Sequence, residues 1–412
     1  MKLLSGVLAT WLAFALFSAP AATTKPRGIY TVKIPGVAPG AFQARTYLGI
    51  QLLPSTRYQG LAGTVSGNSL AFSNSFSPVG LQDPELKQYV HVLAGNGLGY
   101  VVDIEEFRTN DIICATDLTP WITPWTSFLI RPHSRLADVF GADNRFGLGS
   151  GSDAAQADNV VTWDPVAQQE KVYYFHATRA RWELEGVEAD ARHAILRFPY
   201  GLFIVRRTTG TLRLALSGDV GSESVLLPVR PGANVFSLPL NLSASLGESI
   251  SSEGSLSIRK GPNARQSDLL TFEEPFSGGQ RGPFYYLSRP GANGWREVGV
   301  NDSSAPLAPL DLLSTLVLHR DGPAGHVLAR GSLDPGNQPP LPPAPAPGEP
   351  PLTGELPFPV ALPPDITVTV ETSIDLQTWT PHATVYPENG KATFPLPAGQ
   401  TRAFYRLNVT PY

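Results

Sequence analysis

Cysteine is almost missing from this chain. Cys114 is the only one in 412 residues, so no disulfide can close within the molecule and packing must hold the fold together. Charge is scarce too, at 16% of residues, and what there is carries no basic excess: the formal net charge is −4. Without a cluster of cations to displace counterions, nucleic acid is excluded as a partner. Beyond the N-terminal residues no apolar stretch is long enough to span a bilayer. The seven histidines, at 91, 133, 176, 193, 319, 326 and 382, form no His-x-His, His-x-x-x-His or Cys-containing group, so no metal site and no cofactor is expected. There is no Gly-x-Ser-x-Gly nucleophile motif and no phosphate loop. The glycine turns "GNGLG" (95–99) and "GLGSG" (147–151) lack the Lys and the helix that would make one.

Glu105-Glu106 and Glu273-Glu274 are adjacent in sequence, so on strands they point to opposite faces and cannot flank one glycosidic bond. "GSGSDAAQAD" (149–158) lacks the alternating ligands of a calcium loop. Cys114, inside "NDIICATDL", reads as buried core rather than as a nucleophile. No catalytic motif remains, and the chain reads as non-enzymatic.

What is present begins with a leader. One charge at Lys2, an uncharged apolar run from Leu3 to Phe17 and small residues at Ala19-Pro20-Ala21 make residues 1–21 a secretory signal peptide, cut after Ala21 or Ala22. The expectation is an exported protein, periplasmic, at the cell surface or extracellular, with no transmembrane segment once the leader is gone.

Glycine and proline, 39 and 40 residues, punctuate short alternating runs such as "YTVKI" (30–34), "YVHVLAG" (89–95), "KVYYFHA" (171–177) and "TLRLALSG" (211–218). Such runs predict an all-β chain of tandem sandwich-like or barrel-like modules. Short helical turns are expected only at 134–140 and 243–250, where a Ser can cap a run holding Leu and an acid.

The chain also echoes itself. Leu136 and Asp138 match Leu246 and Glu248. Val160, Val161, Thr162 and Trp163 match Leu269, Leu270, Thr271 and Phe272. Tyr173, Tyr174 and Phe175 match Phe284, Tyr285 and Tyr286, and Trp182 matches Trp295, from which Arg207 and Arg320 are equally far. On this alignment "VTWDP" and "LTFEEP" are the same strand end running into a turn, not a catalytic corner. The division expected is an N-terminal β-region at 28–125, β-modules at 126–221 and 234–333, a stiff proline-rich linker at 335–364 with 13 prolines, and a small C-terminal β-module at 365–412.

The order "FLIRPHSRLADVF", "ADNVVTWD", "VYYF", "RW" and "GLFIVRRTTGTLRLALSGDV" resembles an uncharacterised family of exported, repeat-containing proteins of Verrucomicrobia-like bacteria, over residues 40–333. The second half departs from the pattern where Ser314 stands for Gly201. The tail, through Ser373, Asp375, Leu376, Trp379, Phe404, Tyr405 and Arg406, is similar to a short β-module common in exported proteins of those groups. The resemblance implies location and architecture, not catalysis.

A structural or adhesive role at the cell surface or outside it follows, with a polysaccharide or protein as partner. Carbohydrate recognition is the alternative. Trp182 and Trp295 read as core. Trp121 and Trp125, in "LTPWITPWTSF", are the candidate ligand-binding pair, since an exposed indole stacks on sugar rings. A hydrolase assembled from distant residues is the third reading.

Overall fold

The structure is a computed structural model. It describes residues 22–23, 26–74, 76–239, 246–251, 255–274, 279–300, 314–331, 353–357, 366–373, 378–385, 391–395 and 402–411. The signal peptide lies outside these residues, as does the linker apart from 353–357.

The fold is all-β. The chain opens with β1 (Arg27–Ile34) and β2 (Ala44–Leu48) and then makes a six-stranded excursion: β3 (Tyr58–Ser66), β4 (Ser69–Phe72), β5 (Gln88–Val92), β6 (Val101–Phe107), β7 (Asp111–Cys114) and β8 (Ser127–Pro132). These six close into an antiparallel barrel in the order β8-β3-β4-β7-β6-β5. The helical turn α1 (Leu136–Phe140) leads into β9 (Asn159–Asp164), β10 (Gln169–His176), β11 (Arg181–Leu184), β12 (Leu202–Arg206) and β13 (Leu212–Val220). Next come β14 (Val225–Val229), β15 (Gly232–Ser237), the turn α2 (Leu246–Ser249), β16 (Leu269–Glu274), β17 (Gly279–Arg289), β18 (Ala292–Glu297), β19 (Thr315–Arg320) and β20 (Gly325–Ala329). The tail adds β21 (Thr353–Pro357), β22 (Ile366–Ser373), β23 (Thr380–Val385), β24 (Lys391–Pro395) and β25 (Arg402–Pro411).

Two five-stranded sheets carry the same order. The first is β11-β10-β9-β12-β2 and the second β18-β17-β16-β19-β15. In each, an edge strand that precedes the helical turn, β2 in the first and β15 in the second, pairs with the fourth strand after that turn. Beside the sheets, β1 pairs with β13 and β14 with β20. The barrel therefore sits inside the first unit, between β2 and α1, where the second unit has only the short path from β15 to α2.

Strand pairing crosses the boundaries read from the sequence. β1 and β2, inside the expected region 28–125, pair with β13 and β12 of the expected module 126–221, while β8 of that module closes the barrel. β14 precedes residue 234 yet pairs with β20. Local pattern shows a strand but not its partner, and here the partners are brought together around an insertion. Thr353–Pro357, within the expected spacer, pairs with β24; that stretch has one proline, at its end, so its N–H groups remain free to bond.

The register sharpens the internal match. Val160 faces Ile204 and Tyr173, while Leu270 faces Leu318 and Phe284. Trp182 faces Phe175 and Trp295 faces Tyr286, each pair edge-on, at 5.6 and 5.5 Å between ring centroids. Both tryptophans are buried. At the start of β9 and β16 the expected alignment slips by one residue. Asp158 pairs with Arg206 (2.8 Å) and accepts the Gly149 N–H; Asp268 pairs with Arg320 (3.0 Å) and accepts the Arg259 N–H. The counterpart of Arg320 is thus Arg206, not Arg207, and Phe272 stands opposite Leu316 as Thr162 stands opposite Leu202. One residue of slip changes the face of the sheet, so Trp163 is not the equivalent of Phe272.

β12 (LFIVR) is buried along its whole length because it is central and covered on both faces: Leu202 and Ile204 enter the main core with Val160 and Trp182, and Phe203 and Val205 pack with Val161 on the other side. The helical turns fall where expected, but the acid rather than the serine caps the first: Asp138 accepts the Arg135 N–H at 2.8 Å, and Ser134 pairs with Leu196. The barrel encloses its own core of Ala62, Leu70, Val90, Ile104, Phe128 and neighbours. It docks on the second unit through Gly99, whose carbonyl accepts the Leu226 N–H at 2.7 Å. Gly99 has φ of +84°, and a Cβ there would lie 2.8 Å from the Leu226 nitrogen, so only glycine permits the approach.

The tail is part of the body. β25 pairs with β1 as well as with β22, making the order β23-β22-β25-β1-β13, and Phe404 is fully buried against Tyr30 at 5.9 Å.

Candidate functional site

The two candidate tryptophans occupy different settings. Trp121 is half-buried, one face stacked on Tyr100 at 4.9 Å and 17°, with the His326 ring edge-on at 5.1 Å. It joins the barrel to β20. Trp125 is 71% exposed and makes no ring contact among the described residues. Its φ is +70°, a region bulky L-residues avoid. The strain is held by a tight hydrogen-bonded frame: Trp125 N–H to the Ala62 carbonyl at 2.7 Å, Ala62 N–H to the Thr126 carbonyl at 2.9 Å, and Thr123 N–H to the Thr126 hydroxyl at 3.1 Å. Leu61, beside the acceptor, is exposed as well. Of the expected pair, Trp125 is the one that offers a free indole face.

A buried polar junction between the barrel and the first unit went unseen in the sequence. His133, buried, meets Asp103 through Nε2 at 3.0 Å, and its Nδ1 accepts the Phe198 N–H at 3.1 Å. Arg197 reaches the other Asp103 oxygen at 3.0 Å. Burial pulls the His133 pKa below its usual value, with Asp103 opposing. Asp103 lies low despite its own burial, through the hydrogen bond from His133 and the charges of Arg197 and Lys87. Because Nδ1 is an acceptor and Nε2 is spent on Asp103, the imidazole has no nitrogen left to activate a nucleophile. Nearby, Arg131 is fully buried with one nitrogen on the Thr56 hydroxyl at 3.0 Å, and burial pushes the Tyr89 hydroxyl up to about 12. Only contacts between distant strands create this junction, so no local pattern announces it.

The other reactive-looking groups are structural. Cys114 is buried in the barrel, and burial pushes its thiol up to about 12, away from the thiolate form. Glu105 pairs with Lys87 and Glu106 with Arg108, both at the surface. Asp153 closes its own turn on the Gln156 N–H, and Asp158 is committed to Arg206. Among the described residues no three His, Cys, Asp or Glu gather as a metal site, and no helix is long and apolar enough to cross a membrane.

A cleft of about 310 Å³ opens beside Trp163, at the seam between the two units. Its walls come from the end of β9, Tyr173 of β10 and the segment Ile195–Leu202. The Trp163 indole N–H donates to the Ala233 carbonyl at 2.8 Å, and Gln168 clasps the same residue, donating to its carbonyl and accepting its N–H. Asp164 accepts the Val166 and Ala167 N–H groups and the Lys171 ammonium at 2.9 Å, which together hold its carboxyl at about 2. The strand end thus runs into a turn that Asp164 caps.

No family model matches the chain, and no curated protein or solved structure is similar enough to match it.

Proposed function

We propose that this chain is an exported, non-catalytic adhesive protein, built on one β-unit used twice, that holds a surface polymer or protein through a contact centred on Trp125. The leader at residues 1–21 supports export, and the equal strand order of the two sheets supports duplication. The observation that carries the adhesive reading is the combination at Trp125 of 71% exposure with a strained backbone whose N–H is fixed on the Ala62 carbonyl. A large aromatic left in water gives up roughly 2–3 kcal/mol of burial, and holding it rigid removes the ordering cost that binding would otherwise meet. Strain held by its surroundings collects at functional positions. With the neighbouring Leu61 it makes a small exposed apolar patch on the barrel.

Two measurements test this. The mass of the mature chain recovered outside the cytoplasm gives its first residue as Ala22 or Thr23. Co-sedimentation with insoluble envelope material is expected for the native protein and at least tenfold weaker for Trp125→Ala at unchanged melting temperature. Equal sedimentation of the two proteins would remove Trp125 from the contact.

A further inference from the structure

The cleft beside Trp163 is bordered by two positions that differ from their counterparts in the second unit. Thr162 stands at the place of Phe272, and Tyr173 at the place of Phe284. In the second unit those two phenylalanines are buried with ring centroids 6.2 Å apart. In the first, Thr162, which is shorter, and Tyr173 line an open volume of about 310 Å³, at the lower end of the size of small-ligand clefts.

The lining combines aromatic area with hydrogen-bond donors. Trp163, Tyr173 and Tyr200 supply the rings. The Tyr200 ring is stacked on Phe236 at 5.6 Å, which fixes its direction, and its hydroxyl has no hydrogen-bond partner among the described residues. The only carboxylate in the lining, Asp164, is already satisfied by two backbone N–H groups and Lys171. The two cations are not exhausted. Lys171 spends one donor on Asp164, and Arg197, more than half exposed, spends one on Asp103. A site with rings on its walls and spare cationic donors at its rim suits a sugar ring that carries a carboxylate.

We propose that this cleft binds a uronic acid unit of an acidic polysaccharide, its ring against the aromatic wall and its carboxylate toward Lys171 and Arg197. This goes beyond the Trp125 contact and stands on separate residues, so either can fail alone.

The test is calorimetric titration of the full mature chain with short oligomers of galacturonic acid and with uncharged glucose oligomers of equal length. The native protein is expected to bind the acidic oligomer and not the neutral one. Thr162→Phe, which installs the side chain the second unit already accommodates, is expected to weaken binding at least tenfold with no loss of melting temperature. Lys171→Gln, a smaller change at the rim, is expected to weaken it about tenfold. Trp125→Ala is expected to leave it intact. Absence of binding to the native chain, equal affinity for the neutral oligomer, or undiminished binding by a folded Thr162→Phe protein would each overturn the assignment.

Discussion

His133 shows how a single side chain couples the barrel to the first unit. Its buried ring is neutral, donating to Asp103 and accepting from Phe198, and burial holds its pKa below the ordinary 6.5. In the unfolded chain the ring takes up a proton once the pH falls below about 6.5, whereas in the folded chain it resists until lower pH. The stabilisation is therefore complete above the unfolded pKa and is lost as pH falls through the window beneath it. Asp103, lowered from 3.8, titrates only below that window and does not blur it. The melting temperature is expected to decline from pH 7 to pH 5, and His133→Gln, which keeps one donor and one acceptor, to flatten that decline. His326 shifts in the same direction, so part of the slope should survive. An identical slope in the variant would mean that His133 is not held neutral. None of this was legible beforehand, because a lone histidine beside a proline carries no sign of an aspartate 30 residues away.

At the scale of the element, strands were readable wherever alternation met a turn residue, and the aromatic strands β10 and β17 set Phe175 opposite Trp182 and Tyr286 opposite Trp295. The register of β9 and β16 was not legible. Apolar residues and Thr follow one another without strict alternation in "VVTW" and "LLTF", so hydrophobicity alone does not choose between offsets of 109 and 110. Gln156-Ala-Asp158 and Gln266-Ser-Asp268 would have chosen, since the buried aspartates fix the start of both strands. The slip mattered, because it matched Trp163 to Phe272, whereas Thr162 holds that place in the register. The tail strand β25 offers a second test at this scale. Phe404 is fully buried against Tyr30 in the core of the first unit. Phe404→Ala should cost about 3–5 kcal/mol in denaturant unfolding of the whole chain. A loss below about 1 kcal/mol would show that the tail does not pack on the body.

In the whole molecule, the expected string of beads becomes a nested object. A barrel is threaded into the first of two like units, and the tail completes that unit's sheet. Composition and alternation reveal fold class, but pairing between residues 27–34 and 402–411 leaves no mark in either. A contrast also belongs to this scale: what the two units share builds the frame, whereas the exposed Trp125 and the cleft beside Trp163 lie in the first unit and its insertion. The shared frame rests on the ion pairs Asp158–Arg206 and Asp268–Arg320, both at the start of the equivalent strand and both nearly or fully removed from water. Removing one partner of a buried pair leaves an uncompensated charge, typically at a cost of about 3–5 kcal/mol. The decisive measurement is the unfolding free energy of Asp158→Ala and Asp268→Ala side by side. If one frame is used twice, both lose at least about 3 kcal/mol; if either loses less than about 1 kcal/mol, the two units are not held by the same joint and the duplication fails.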